Sequence, residues 1–263
     1  MSIITKILFG IIFLVVTCYV FIVFFFNDYR LPILSLEKLI GKKKKYKILA
    51  VDPHPDDETM LSGGFLTELA IRKDVELKHI CFSKGEKGDE LLKISETELS
   101  KIRVVEYQNA LKSLNIDNYA MLDIPDGRFE FNKSRITKLL KTEIDVFQPD
   151  LILTYEPAGL YGHPDHIALT DVANKIIKSD YPDLKILYKT LPKHVLKRIK
   201  LPYHMANGKE ISQAEPRYRL PVGKHILKKY NAAKKHKSQN LGQGKPLLLL
   251  MILFNNEYFT DQF

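Results

Sequence analysis

Residues 46–58 read Tyr-Lys-Ile-Leu-Ala-Val-Asp-Pro-His-Pro-Asp-Asp-Glu. The first seven form a short, nearly continuous apolar run, which predicts a buried strand of the kind found in parallel sheets. The next six place one histidine and three acids in the loop that follows. Such a concentration of charge behind a buried strand is costly, because without a cation the carboxylates repel and their pKa values rise. A helix amino terminus decorated with acids, which the helix dipole favours, accounts for Asp57 and Glu58. It gives no reason for His54 or for the two rigid prolines around it.

Working outward, apolar residues at helical spacing (Leu61, Phe65, Leu66, Leu69, Ala70) predict a helix over 58–73, followed by a strand over 75–83 and a loop over 84–89. Further helices are expected at 97–114, 134–147 and 165–178, and further strands at 119–123, 150–155 and 184–189, with a turn at Pro125-Asp126-Gly127. Alternating strands and helices predict an α/β fold with a mainly parallel sheet and helices on both faces. Ligands of such sheets bind beyond the carboxyl ends of the strands. The loops after Asp52 and Tyr155 should therefore meet. The second loop carries His163-Pro164-Asp165-His166. Alone, these histidines would be ordinary surface residues; beside the acidic loop they become candidate ligands. Two histidines and a carboxylate with a place left for water form a common catalytic zinc set. No glycine-rich spacing follows the first strand, so a nucleotide cofactor is disfavoured.

The chain of 263 residues carries a formal net charge of +9 and two cysteines, Cys18 in an apolar run and Cys81 in an expected buried strand. Neither is placed for a disulfide. Residues 7–26 contain no charge and, at 1.5 Å per residue, cover roughly 30 Å, the thickness of a bilayer core. The run is long for a cleaved leader and ends in Phe24-Phe25-Phe26-Asn27-Asp28-Tyr29, which offers no small-residue cleavage site. It is expected to be an uncleaved transmembrane anchor. Arg30, Lys38, Lys42 to Lys45 and Lys47 on its carboxyl side, against Lys6 on the other, predict a cytoplasmic catalytic domain. The organisation expected is an anchor and basic linker over 1–45 and a catalytic domain over 46–263. The basic stretch 192–237 suits a solvated surface or a phosphate-bearing substrate. No nucleic-acid motif accompanies it, so nucleic acid is not an expected partner. Residues 192–221 lack periodicity and read as a loop over the site, and 247–254 as a core strand or helix.

The stretches VDPHPDDETMLSGG (51–64) and YGHPDHIAL (161–169) resemble the two signature motifs of the LmbE-like deacetylases, the family that includes the GlcNAc-phosphatidylinositol de-N-acetylases. Arg103 and Glu106, the turn at 124–127, residues 229–239 and 257–259 resemble its further segments. The resemblance implies a Rossmann-like α/β sandwich and a zinc hydrolase that removes acetyl from an N-acetylglucosamine-type substrate. It implies His54, Asp57 and His166 as zinc ligands and Asp56 as general base. It makes His163 the stabiliser of the tetrahedral intermediate, Asp165 the residue orienting His163, and Tyr161 a group polarising the carbonyl. Arg103 and Lys84 are candidates for substrate contact. The membrane anchor suggests a lipid-linked sugar as substrate. Competing readings are another metal hydrolase, an esterase or phosphoesterase, and a non-catalytic membrane-tethered binding module.

Overall fold

A computed structural model of the chain describes residues 2–88, 91–197, 213–239, 241 and 246–262. At its centre β1 (Tyr46–Asp52) lies between β2 (Val75–Cys81) and β4 (Leu151–Tyr155), parallel to both, with Ile48 opposite Leu77 on one side and Leu151 on the other. β3 (Tyr119–Met121) and β5 (Lys185–Thr190) extend the parallel sheet outward. β6 (Tyr218–Pro221) and β7 (Asn256–Thr260) complete it antiparallel, in the order β3-β2-β1-β4-β5-β7-β6. The sheet is thus mainly parallel, with helices on both faces, as the alternation of elements predicts. The strand order reverses between β1 and β4, and such a switch point opens a crevice at the carboxyl ends of the strands.

Side chains alternate along β1, so two cores form. Ile48 and Ala50 face α4 (Gly63–Ile71), α5 (Glu96–Ser113) and α10 (Ile226–Ala233). Leu49 and Val51 face α6 (Lys133–Phe147) and α8 (Pro164–Asp180). Single turns α3 (Asp57–Met60), α7 (Gly159–Gly162) and α9 (Lys193–Leu196) complete the helices of this region. A capping box between Ser95 and Glu98 starts α5.

Four expectations are modified. The helix expected over 58–73 breaks into α3 and α4. Gly63 and Gly64 open the second piece, and the Glu257 carboxylate from β7 accepts the N–H groups of Gly64 (2.8 Å) and Phe65 (2.7 Å). A remote acid thus caps a buried helix terminus. Residues 27–40, expected as linker, pack on the domain: Leu34 and Leu36 enter the first core, and Ile33 bridges Arg219 at the sheet edge. α2 (Leu36–Ile40) follows, and only 41–45 are exposed as a run. The expected loop 192–221 contains α9 and edge strand β6, while residues 198–212 lie outside those described. Residues 247–254, expected in the core, form α11 (Leu247–Leu253), whose only buried residue is Met251.

At the amino end α1 (Ile3–Phe26) is a helix with a mean hydropathy of 3.0 and almost no burial. It is long and apolar enough to cross a membrane.

A side chain at Gly64 would collide with Val222 Cγ1 and crowd the Glu257 carboxylate. Gly64→Ala is expected to destabilise the domain by about 1–3 kcal/mol, the usual cost of overpacking. Adding Val222→Gly, which removes both the Cγ1 and the Cβ in the way, should recover part of the loss in a denaturant titration; no recovery would show that close packing at Val222 is not the cause.

Candidate active site

Parallel pairing of β1 with β4 brings the loops after Asp52 and Tyr155 to one edge of the sheet. In the first loop, the His54 N–H donates to Asp57 Oδ2 at 2.9 Å, closing a turn around Pro55 and Asp56. Asp56 has φ 105°, a left-handed conformation that is unfavourable for a residue with a side chain. It is held there on both sides. Its N–H donates to Glu58 Oε2 at 2.8 Å, and its carbonyl accepts from the N–H (2.9 Å) and hydroxyl (2.7 Å) of Thr59. Glu58 is wholly buried and bonds His236 Nε2 through its other oxygen at 2.7 Å.

In the second loop, the buried Glu156 carboxylate accepts the N–H groups of Ala158 (2.9 Å) and Leu160 (2.6 Å), shaping the turn that leads to α8. His163 is the N-cap of α8, with its Nδ1 accepting the Asp165 N–H at 3.3 Å. Asp165 and His166 follow in the first turn, both buried.

The candidate ligands converge. Asp57 presents Oδ2 to His54 Nδ1 at 3.5 Å and Oδ1 to His166 Nε2 at 3.4 Å. These separations are close to the edge of a tetrahedron with metal–ligand arms of 2.0–2.1 Å, about 3.3 Å. The Tyr155 hydroxyl donates to Asp57 Oδ1 at 2.7 Å, and its ring stacks on His166 at 3.9 Å. On the far side of His54, Nε2 meets Asp165 Oδ2 at 3.1 Å and Asp126 Oδ1 at 3.2 Å. A proton on Nε2, shared between these acids, leaves Nδ1 free as a ligand; carboxylate partners commonly orient metal-binding histidines in this way. The histidine ring nitrogens of His54, His163 and His166 also lie within 4.8 Å of one another, as do His54, Asp126 and Asp165. Asp57 belongs to neither of these groups, although one of its oxygens faces His54 Nδ1 and the other His166 Nε2.

Burial opposes ionisation of Asp57, but the His166 and His54 rings outweigh it and hold the carboxyl well below its usual range. Burial pushes the pKa of His166 well down, against the pull of Asp57. Burial likewise opposes a charge on His54, but Asp126, Asp165 and Asp57 outweigh it and raise its pKa well above the ordinary value. This concentration of acid draws a positive charge into the site, as a divalent ion would supply. His166 Nδ1 is buried and makes no hydrogen bond among the described residues.

Asp56 lies beside this set with its side chain 21% exposed. Burial, reinforced by the charge on Asp57 and opposed by Arg103, pushes its pKa up to about 7. Burial and then the His54 charge lower His163 to about 4, leaving it neutral. Tyr161 is half-buried beside the two histidines, its ring 6.2 Å from His163 and 5.7 Å from His166; burial keeps its phenol protonated.

Two expected roles meet a different geometry. Asp165 does not direct its carboxylate to His163. The carboxylate goes to His54 and accepts the N–H groups of Gly127 (2.6 Å) and Phe129 (3.3 Å), because the helix turn carries its side chain toward the 124–129 loop. Arg103 is buried rather than presented to solvent. Its guanidinium donates to the carbonyls of Gly85 (2.7 Å) and Pro55 and lies 3.4 Å from Asp56. Lys84 is exposed in the loop after β2.

Sequence reading missed Asp126, Glu58 and His236 as site residues. Their signals were present: Asp126 lies in the 124–127 turn and His236 in the 229–239 segment, both matched only as general family resemblance. Glu106, matched the same way, accepts the N–H (2.8 Å) and hydroxyl (2.6 Å) of Ser238. The helix dipole alone accounts for an acid at position 58, so nothing in the sequence marks Glu58 as the partner of His236.

Residues 49–177 match the family model described as PIG-L: GlcNAc-PI de-N-acetylase. A 1D-myo-inositol 2-acetamido-2-deoxy-alpha-D-glucopyranoside deacetylase from Mycobacterium sp. (strain KMS) is 29% identical over 144 residues, covering 46% of each chain. A probable N-acetyl-alpha-D-glucosaminyl L-malate deacetylase 2 from Bacillus subtilis (strain 168) is 34% identical over 129 residues, covering 47% of this chain and 57% of that one. The match thus spans about half the length of these relatives. The N,N'-diacetylchitobiose deacetylase of Pyrococcus horikoshii has a similar fold, with a TM-score of 0.61, 23% identity and 86% of each chain covered.

If His54, Asp57 and His166 form the ligand set, His166→Ala should lose most bound metal while circular dichroism shows a folded domain. Asp165→Asn, which weakens the hold on His54 Nε2, should lower metal affinity about 10–100-fold. Full occupancy of His166→Ala by elemental analysis would overturn the set.

Proposed function

Since residues 49–177 match the model of the PIG-L, or GlcNAc-PI de-N-acetylase, family, we propose that this protein is a zinc-dependent N-deacetylase that hydrolyses the acetamide of an N-acetylglucosamine-type sugar. The observation that carries the reading is the placement of both Asp57 oxygens between His54 and His166, with a carboxylate of raised pKa, Asp56, beside them. The names of the two relatives above, both sugar deacetylases, support the substrate class.

In this reading His54, Asp57 and His166 hold the zinc. Bound there, zinc lowers the pKa of water from 15.7 to about 7 and polarises a carbonyl oxygen. Asp56 takes the proton as the water oxygen bonds to the acetamide carbon. When the C–N bond breaks, Asp56 returns that proton to the departing amine, so the products are acetate and the free amino sugar. The Nδ1 atom of His163 accepts the Asp165 N–H, so the neutral ring carries its hydrogen on Nε2 and can donate it to the developing oxyanion. Tyr161 is a second candidate donor. Asp126 and Asp165 orient His54, and Arg103 ties the Pro55 and Gly85 carbonyls together beneath Asp56. Lys84, exposed at the ligand-binding edge, is a candidate for substrate contact.

The finer reading is an enzyme anchored by α1, with its domain on the cytoplasmic side and a lipid-linked sugar as substrate. The lysines on the carboxyl side of α1 support the orientation. Confinement to a membrane raises the effective concentration of a substrate held there.

Acetate release should therefore be seen from N-acetylglucosamine conjugates, and faster from a lipid-linked one than from its water-soluble headgroup. Asp56→Asn should retain metal and lose on the order of 10²-fold or more in rate with both; loss of metal would instead make Asp56 a ligand. Equal rates with the two conjugates would remove the lipid-linked substrate while leaving the deacetylase. In intact cells, a tag after Phe263 should be reached only from the cytoplasmic side, and protection of the tag would reverse the orientation.

A further inference from the structure

Helix α11, Leu-Leu-Leu-Leu-Met-Ile-Leu, has no polar residue on any face, yet only Met251 is buried, Leu249 is 49% exposed and its other residues are half-buried. A helix apolar all round belongs inside a core or a membrane, and soluble surfaces seldom leave such a run uncovered. Its position indicates the cover. Phe254, its C-cap, packs on Phe26, the last residue of α1, with ring centroids 4.5 Å apart. The Asn27 side-chain amide donates to the carbonyls of both Val23 in α1 and Leu253 in α11, at 2.8 and 2.6 Å. Asn27 is in turn held by Asn256 Nδ2 at 3.2 Å, and the next N–H, of Asp28, donates to the Tyr258 hydroxyl at 2.8 Å. The exposed apolar surface of α1 runs to Phe24 and Phe25, so the end of α11 begins at the level where α1 would leave a bilayer.

We infer that α11 is an interfacial membrane-contact helix that lies in the surface of the bilayer crossed by α1. The inference rests on the anchor reading of α1 and adds a second, independent contact to it. Interfacial helices sink their apolar side about 5–10 Å into the boundary between headgroups and acyl chains. Between α11 and α10 runs a cleft of about 610 Å³ lined by Tyr230, Ala233, Leu241, Leu248 and Ile252, with Lys234 at its side. Tyrosine and lysine side by side above an apolar floor suit the headgroup level; Lys234 Nζ stands 5.3 Å from the Tyr230 ring centre. The cleft is coupled to the chemistry. His236, also in its lining, bonds Glu58, whose other oxygen holds the Asp56 N–H. Contact at α11 therefore fixes the Asp56 loop relative to the membrane surface, which α1 alone, a single helix free to rotate, would not.

The test uses the full chain reconstituted in vesicles of phosphatidylcholine and phosphatidylglycerol, with a spin label read by collision with oxygen and with a water-soluble nickel chelate. The native Cys18, exposed on α1, reports insertion of the anchor, while Cys81 is buried and stays unlabelled. In a Cys18→Ser background, Leu249→Cys reports α11. Val146→Cys, 74% exposed on α6 across the sheet, reports water. The expected result is a Cys18 label in the bilayer core, together with an oxygen-to-nickel accessibility ratio several-fold higher at Leu249→Cys than at Val146→Cys. A Cys18 label in the bilayer with equal ratios at the other two positions overturns the inference and spares the anchor. A Leu249→Cys label shielded from both reagents also overturns it, because protein, such as a second copy of the chain, would then be the cover. A Cys18 label in water removes the anchor reading and the inference with it.

Discussion

The structure of the site depends on the burial of one carboxylate, Asp57. Both of its oxygens are engaged: the backbone N–H and Nδ1 of His54 on one, the Tyr155 hydroxyl and His166 Nε2 on the other. These partners come from the loop after β1, from the end of β4 and from α8, so one side chain stitches together the elements that flank the switch point. An ionised carboxylate taken out of water is tolerated only where partners replace its hydration. Asp57 has them on both oxygens.

A second polar chain runs under the first. The Lys189 ammonium on β5 pairs with Asp52 at the end of β1 and lies 4.0 Å from the centre of the Tyr155 ring. Asp52 also bonds His79, which bonds the Tyr107 hydroxyl of α5 at 2.7 Å. A run of buried ionisable groups is costly wherever it is incompletely paired, and fully paired it specifies a single arrangement. Here it fixes β1, β2, β5 and α5 in the register on which the two candidate-site loops stand.

The carboxyl-terminal part of the chain supports the strained loop. Asp56 keeps its left-handed backbone because Glu58 holds its N–H, and Glu58 stays ionised because His236 outweighs the cost of its burial. Glu257, paired with Lys229 at 2.7 Å, caps α4, and Ser238 is bound by Glu106. Residues nearly 200 positions from the His54 loop thus decide its geometry, and the same segment carries α11 and its contacts with the end of α1.

Much of the fold was legible in local pattern. The apolar run 46–52 could only be a buried strand, the alternation of strands and helices required parallel crossovers, and His-Pro-Asp-Asp and His-Pro-Asp-His marked the loops with chemistry to perform. These are properties of period and residue type, which a sequence displays directly. The break between α3 and α4 was not legible, since the cap that makes it favourable is Glu257 on a distant strand. Nor was the direction of Asp165 toward His54, the burial of Arg103, or the entry of Asp126 and His236. Each depends on which atoms lie within about 3 Å across the fold, and partners brought together from distant parts of the chain leave no local periodicity. The sequence by itself determined the class of fold, the apolar amino-terminal helix and the side chains available for a metal. Tertiary structure alone decided which atom of each faces which, because the pairing of buried charges is settled by distance and desolvation rather than by order along the chain.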